Sequence, residues 1–136
     1  MNVFLDMNVL ASAFGTRGLC ADVLRTALAE HDLITSEFVL AELERVLSEQ
    51  FGLPLERINA VLTFLRRFRV EPTPGELPSL RIRDADDMNV IASAIASGAD
   101  VLVTGDQDLL SVRDQVAIAT EDPRGFWSML TKRGRT

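Results

Sequence analysis

The segment Val101–Leu110, V-L-V-T-G-D-Q-D-L-L, decides how this chain is read. An apolar triplet of buried-strand character runs into a Thr-Gly break, and two aspartates, Asp106 and Asp108, stand just beyond it. In open α/β sheets ligands bind outside the carboxyl ends of the strands, so acids at that place are candidates for a metal or substrate site. Whether they form one depends on further acids reaching the same edge.

Outward from that segment, helical and strand patterns alternate. Upstream, Asp86–Ser97 has helical spacing, and Gly98 is suited to end it. Downstream, Val116–Ala119 reads as a strand, and Asp122 caps a final helix with Pro123 at its first position. Near the N-terminus a strand over Asn2–Leu5 ends at Asp6. A helix over Asn8–Phe14 follows, halted by Gly15 and Gly18, and a second helix spans Cys20–Ala29. Leu33–Thr35 is the next strand, and Ser36 caps a helix running to about Gln50. A helix starting at Pro54 ends near Arg69, and Val70 starts a third strand. Glu71–Arg83 contains Pro72, Pro74, Gly75 and Pro78 and is an extended connection. The expected architecture is α/β and three-layered, a parallel sheet of about five strands flanked by helices with right-handed crossovers. Residues 1–136 are read as one domain, with 131–136 as a flexible basic tail.

Composition excludes several classes. At 136 residues, 47% hydrophobic and 25% charged, the chain is long and apolar enough for a real core. Its one cysteine, Cys20, rules out an internal disulfide and argues against thiol or zinc chemistry. The one histidine, His31, lies in a polar A-E-H-D turn and reads as a solvated loop residue rather than a base. No apolar run approaches the ~20 residues of a membrane span, and a cytoplasmic location is expected. A net charge of −6 argues against a broad basic nucleic-acid surface, although Arg66, Arg67 and Arg69 cluster, as do Arg81 and Arg83 and the tail's Lys132, Arg133 and Arg135.

Helix phase, at about 100° per residue, separates unusual acids from ordinary ones. On the helix after Ser36, Glu42 falls inside the apolar arc of Phe38, Val39, Leu43, Val46 and Leu47, while Glu37 and Glu44 point to the polar side. A carboxylate on a core-facing stripe is costly unless paired with a buried arginine or bound to a cation. Asp87 likewise sits among Val90, Ile91 and Ala94, whereas Asp86 lies to the side, as a cap would. A first-turn position explains the type of Asp87 but not its inward phase. Asp6 directly follows the first strand, where a plain turn residue is the alternative. The stretches Asp6–Phe14 and Asp87–Ile95 match at seven of nine positions, yet their flanks do not, which favours convergence over duplication. Four acids, Asp6, Glu42, Asp87 and Asp106, converging in one cleft call for one or two divalent cations, and all-oxygen ligands point to Mg²⁺ or Mn²⁺. Such a site can activate water and steady the leaving oxygen of a phosphodiester.

With L-D-M-N-V-L-A-S-A at the start, S-E-F-V-L-A-E-L-E-R-V-L in the middle, and R-D-A-D-D-M-N-V-I and L-V-T-G-D-Q-D-L-L later, the chain resembles a PIN domain of the single-domain, VapC-type toxin kind. The likeness spans essentially the whole sequence. It implies a Mg²⁺- or Mn²⁺-dependent endoribonuclease cleaving single-stranded RNA. Asp6, Glu42, Asp87 and Asp106 take the four acidic positions, and Asp108 an additional one that holds a second metal or its water. Asn8 and Thr104 match polar positions that orient the carboxylates. Met7 departs from the family, which has threonine or serine there, and so lacks the hydroxyl. The resemblance also implies a small antitoxin over the cleft, with a basic side chain among the carboxylates, and a homodimer. Arg17, Arg81 and Arg83 are the candidates for steering RNA.

Two other readings fit part of the pattern. A catalytically silent PIN-like binding module keeps the fold and loses the chemistry. A Mg²⁺-dependent phosphatase of the haloacid-dehalogenase kind also places an acid after its first strand, but wants a second acid where this chain has Asn8.

Overall fold

A computed structural model describes residues 1–72 and 85–133. Its centre is one five-stranded parallel sheet in the order β3-β2-β1-β4-β5. The strands are β1 (Asn2–Leu5), β2 (Asp32–Ser36), β3 (Arg69–Glu71), β4 (Val101–Val103) and β5 (Ala119–Glu121). The helices are α1 (Met7–Gly15), α2 (Leu19–Glu30), α3 (Glu37–Glu49), α4 (Leu55–Leu65), α5 (Ala85–Ala96), α6 (Gln107–Ser111) and α7 (Pro123–Arg133). The chain steps from β1 to β2 to β3 in one direction, then returns past β1 to β4. Crossovers of one hand therefore set α5 on the face opposite the earlier helices, giving the three expected layers. Val3, Phe4 and Leu5 of β1 and Val101, Leu102 and Val103 of β4 are buried, as near-continuous apolar strands in a parallel sheet require.

Local chemistry explains most element ends. Ser36 caps α3, its Oγ accepting from the Val39 N–H at 3.1 Å. Asp122 caps α7, accepting from the Gly125 N–H at 2.6 Å, and Pro123 begins the helix as expected. Gly98 follows α5 at φ +72°, the left-handed conformation that glycine adopts without strain.

Elsewhere tertiary pairing overrides the sequence pattern. The last strand is Ala119–Glu121 instead of Val116–Ala119, because Val101, Leu102 and Val103 of β4 pair with Ala119, Thr120 and Glu121. Val116 and Ile118 are apolar because they pack against the core before the strand begins. Helix α4 stops at Leu65, short of Arg69. Bonds from Arg67 N to Phe64 O and from Phe68 N to Leu65 O tighten its last turn, and the Ile34–Arg69 register takes Arg69 into β3. The α6 helix was not legible, since five residues are too few to show a period. His31 is half-buried at the end of α2, with Nδ1 3.2 Å from the Met1 nitrogen, rather than solvated in a loop. Helix α7 continues through Arg133, so only 134–136 of the expected tail, together with the connection at 73–84, lie outside the described residues. No helix among the described residues is long and apolar enough to cross a membrane.

Gly15, the last residue of α1, lies against the ring of Phe51. A Cβ built there would come within 2.4 Å of Phe51 Cδ1. Gly15→Ala is expected to destabilise the fold by about 1–3 kcal/mol through overpacking, despite alanine's better helix propensity. A urea midpoint at or above that of the wild type would contradict this packing.

Candidate metal centre

The direction of travel through the sheet reverses between β1 and β4, and the residues leaving those two strands meet there. Leu5 pairs with Val103, so Asp6 and Thr104 emerge side by side. The Asp6 N–H donates to Val103 O at 3.0 Å, and the Thr104 N–H donates to Glu121 O at 2.9 Å, which extends the ladder by one step on each side. Thr104 is fully buried, and its hydroxyl has two partners. It donates to Asp6 Oδ2 at 2.8 Å and accepts from the Asp106 N–H at 3.0 Å. The Met7 N–H donates to Asp6 Oδ1 at 2.7 Å. Asn8 Oδ1 accepts from the Gly105 N–H at 2.9 Å, tying the start of α1 to the turn after β4.

Asp106 caps α6, its Oδ1 accepting from the Asp108 N–H at 2.9 Å. This short turn brings Asp108 round beside Asp106. One carboxylate oxygen from each of Asp87, Asp106 and Asp108 lies within 4.8 Å of the others. Asp87 is buried, Asp106 is half-buried and Asp108 is exposed, so the group runs from the protein floor out to solvent. Three carboxylates this close repel one another, a cation among them would offset that repulsion, and an all-oxygen donor set with open approach fits Mg²⁺ or Mn²⁺.

The other expected site residues take distinct places. Asp6 is 5% exposed and both its oxygens are engaged by Thr104 and Met7, so it lies outside the group of three. Burial pushes its carboxyl above the ordinary 3.8. The Thr104 and Met7 hydrogen bonds oppose that shift, and the charge of Asp106 adds to it. Glu42 is half-buried on α3, which packs against both α1 and α5, and it too lies outside the group. Asp87 is buried on α5 and Asp86 exposed, as helix phase indicated. Arg17 is exposed between α1 and α2, and it forms no ion pair among the described residues. Arg81 and Arg83 lie outside the described residues. Met7 packs against the core and lines a groove of about 130 Å³ with Val46 and Phe51, while its backbone supplies the bond to Asp6.

The repeated D-M-N-V peptide shows how context divides identical sequences. Asp6 precedes α1 as its cap, whereas Asp87 is already inside the first turn of α5. The sequence already set Asp106 and Asp108 together just past the strand end; what it did not show is the short α6 turn that brings Asp108 round beside Asp106.

Residues 2–108 match the family model of the PIN domain. The chain therefore belongs to the PIN-domain family. No curated protein matches it in sequence. Among solved structures it is similar to VapBC2 from Rickettsia felis bound to a DNA fragment from the promoter, with 21% identity and a TM-score of 0.67 over 90% of this chain and 98% of that one. VapC20 of Mycobacterium tuberculosis, a toxin that cleaves the sarcin-ricin loop, matches at 20% identity and a TM-score of 0.60 over 81% of this chain and 94% of that one. FitAcB from Neisseria gonorrhoeae matches at 17% identity and a TM-score of 0.63 over 90% and 98% of the two chains.

The raised carboxyl of Asp6 predicts a pH-dependent stability in metal-free protein. Folded Asp6 holds its proton more tightly than unfolded Asp6. Its contribution therefore favours the fold below the ordinary value of 3.8 and is lost as pH rises through the folded-state value. Asp6→Asn should accordingly unfold at a higher temperature than the wild type at neutral pH in EDTA, with the gap shrinking toward acid pH. Thermal scans in which the gap widens on acidification would refute this.

Proposed function

We propose that the chain is a divalent-metal-dependent endoribonuclease that cleaves single-stranded RNA in the cytoplasm as the toxin of a toxin–antitoxin pair. The observation that carries the reading is the group of carboxylate oxygens from Asp87, Asp106 and Asp108 at the sheet's switch point. Membership of the PIN family and the likeness in fold to VapC toxins support it. Mg²⁺ or Mn²⁺, when bound, supplies Lewis-acid activation of water and stabilisation of charge on phosphate oxygens.

The chain's own groups do the rest. Asp87, Asp106 and Asp108 would hold the cation, with Glu42 and Asp6 adding negative charge around it. The Thr104 hydroxyl keeps Asp6 and the Asp106 backbone in one fixed relation, and Asn8 holds the Gly105 turn, so the acids are oriented before substrate arrives. Asp108, the exposed member of the group, would accept the proton of the incoming water while a new P–O bond forms and the bond to the ribose oxygen breaks. Asn8 accepts a hydrogen bond from Gly105 and brings no carboxylate, so the phosphatase reading lacks its second acid. Met7 removes a hydroxyl, but the backbone bond to Asp6 is intact, which favours an active site over a silent module. Arg17, Arg81 and Arg83 would guide RNA toward the acids. An antitoxin would cover the cleft and place a basic side chain among the carboxylates, and the toxin would pair as a homodimer.

Asp106→Asn and Asp87→Asn should each abolish Mg²⁺-dependent cleavage of single-stranded RNA while leaving the circular dichroism of the protein unchanged. Thr104→Val should retain the fold and lose about 10–100-fold in activity or metal affinity, as expected for a group that orients a ligand. Calorimetric titration with Mn²⁺ checks the metal directly. Heat of binding in the wild type that vanishes in Asp106→Asn is the expected outcome, and no heat in the wild type would favour the silent module.

A further inference from the structure

At the rim of the sheet opposite the acids, where β1, β2 and β3 begin, lies a cavity of about 480 Å³. It falls within the roughly 300–1,000 Å³ typical of small-molecule sites. Leu28 near the end of α2 and Phe68 just before β3 give it an apolar and aromatic wall, Asp32 stands at the start of β2, and Arg67 and Arg69 flank Phe68. The opening arises from register. Strand β3 pairs with β2 only from Ile34 onward, so on that side Asp32 and Leu33 have no strand partner among the described residues.

The two arginines are not equivalent to their neighbour. Arg66, in the same basic run, is committed to Glu37 by bonds of 2.8 and 3.0 Å. Arg69 makes a 2.8 Å pair with Glu71, which occupies only part of a guanidinium with five N–H donors. Arg67 is exposed and forms no ion pair among the described residues. The cavity thus offers planar donors matched to phosphate, an apolar wall, the polar side chains of Asn2 and His31, and one carboxylate acceptor. A purely apolar ligand would leave both guanidiniums without use, and a bare anion would leave Leu28 and Phe68 without contact.

We infer that this cavity binds a nucleotide unit, with phosphate at Arg67 and Arg69, the base against Phe68 and Leu28, and Asp32 accepting from a ribose hydroxyl or an exocyclic amine. Base stacking on an aromatic ring and guanidinium contact with phosphate are the two contacts that proteins combine for single nucleotides. The site lies at the opposite end of the strands from the acids and does not depend on their chemistry. The unit is either a free mononucleotide or one nucleotide of an RNA strand.

The test uses the full chain in EDTA, which removes any cation from the acidic centre and prevents cleavage. Binding of AMP, UMP, inorganic phosphate and a short single-stranded RNA is measured by calorimetry for the wild type, Arg67→Gln and Arg69→Gln, with circular dichroism confirming the fold. Wild-type binding of AMP or UMP that falls about tenfold or more in both variants supports a free nucleotide, that being the scale of a lost charge-assisted hydrogen bond. Binding of the RNA alone, lost in the same variants, supports a nucleotide within a strand. No binding of either at millimolar concentration, equal binding by both variants and the wild type, or phosphate binding as tightly as AMP would each overturn the inference.

Discussion

The parallel pairing of β1 with β4 is the constraint on which the acidic centre depends. These strands are distant in sequence, and the Leu5–Val103 register sets Asp6 and Thr104 next to each other. The Thr104 hydroxyl then fixes both Asp6 and the backbone of Asp106. A one-residue slip of that register would send every side chain of the strand to the other face and part these groups. Hydrogen bonds set the finer geometry, but only because the strands already lie side by side. Asn8, reaching across to Gly105, holds the helix that leaves β1 to the turn that leaves β4.

Burial creates a second tension. Asp6 is almost wholly removed from water, and its carboxyl is accordingly pushed up despite two hydrogen bonds that favour the charged form. A group of acids so arranged is a reasonable way to hold a cation, because a positive ion offsets the repulsion among like charges. The same logic separates the ends of the sheet. Acids gather where β1 and β4 finish, while Arg67 and Arg69 stand where β3 begins.

Much of this was legible in the sequence. Alternating apolar strands and amphipathic helices foretold the layered sheet, and helix phase identified Asp87 as buried while Asp86 and Glu44 are exposed. Periodicity succeeds there because a helix turns its residues through a fixed angle, so a misplaced acid is visible against its apolar neighbours. It failed at β5, where Val116 and Ile118 are apolar through packing and not through strand pairing, and at α6, which is too short to show a period. Glu42, placed on the apolar arc by phase, is half-buried and lies outside the group of three acids.

By itself the sequence determined the kinds and order of the elements other than α6, the caps at Ser36 and Asp122, and which acids were out of place for a soluble core. Those are local properties, set by side-chain chemistry within a few residues. Only the tertiary structure decided that Asp87, Asp106 and Asp108 present oxygens within 4.8 Å of one another while Asp6 is held back by Thr104 and Met7. It also opened the cavity beside Arg67, through the short reach of β3 along β2. Distances between separate elements follow from strand order and register, and these are fixed by the packing of the whole sheet instead of by any one segment.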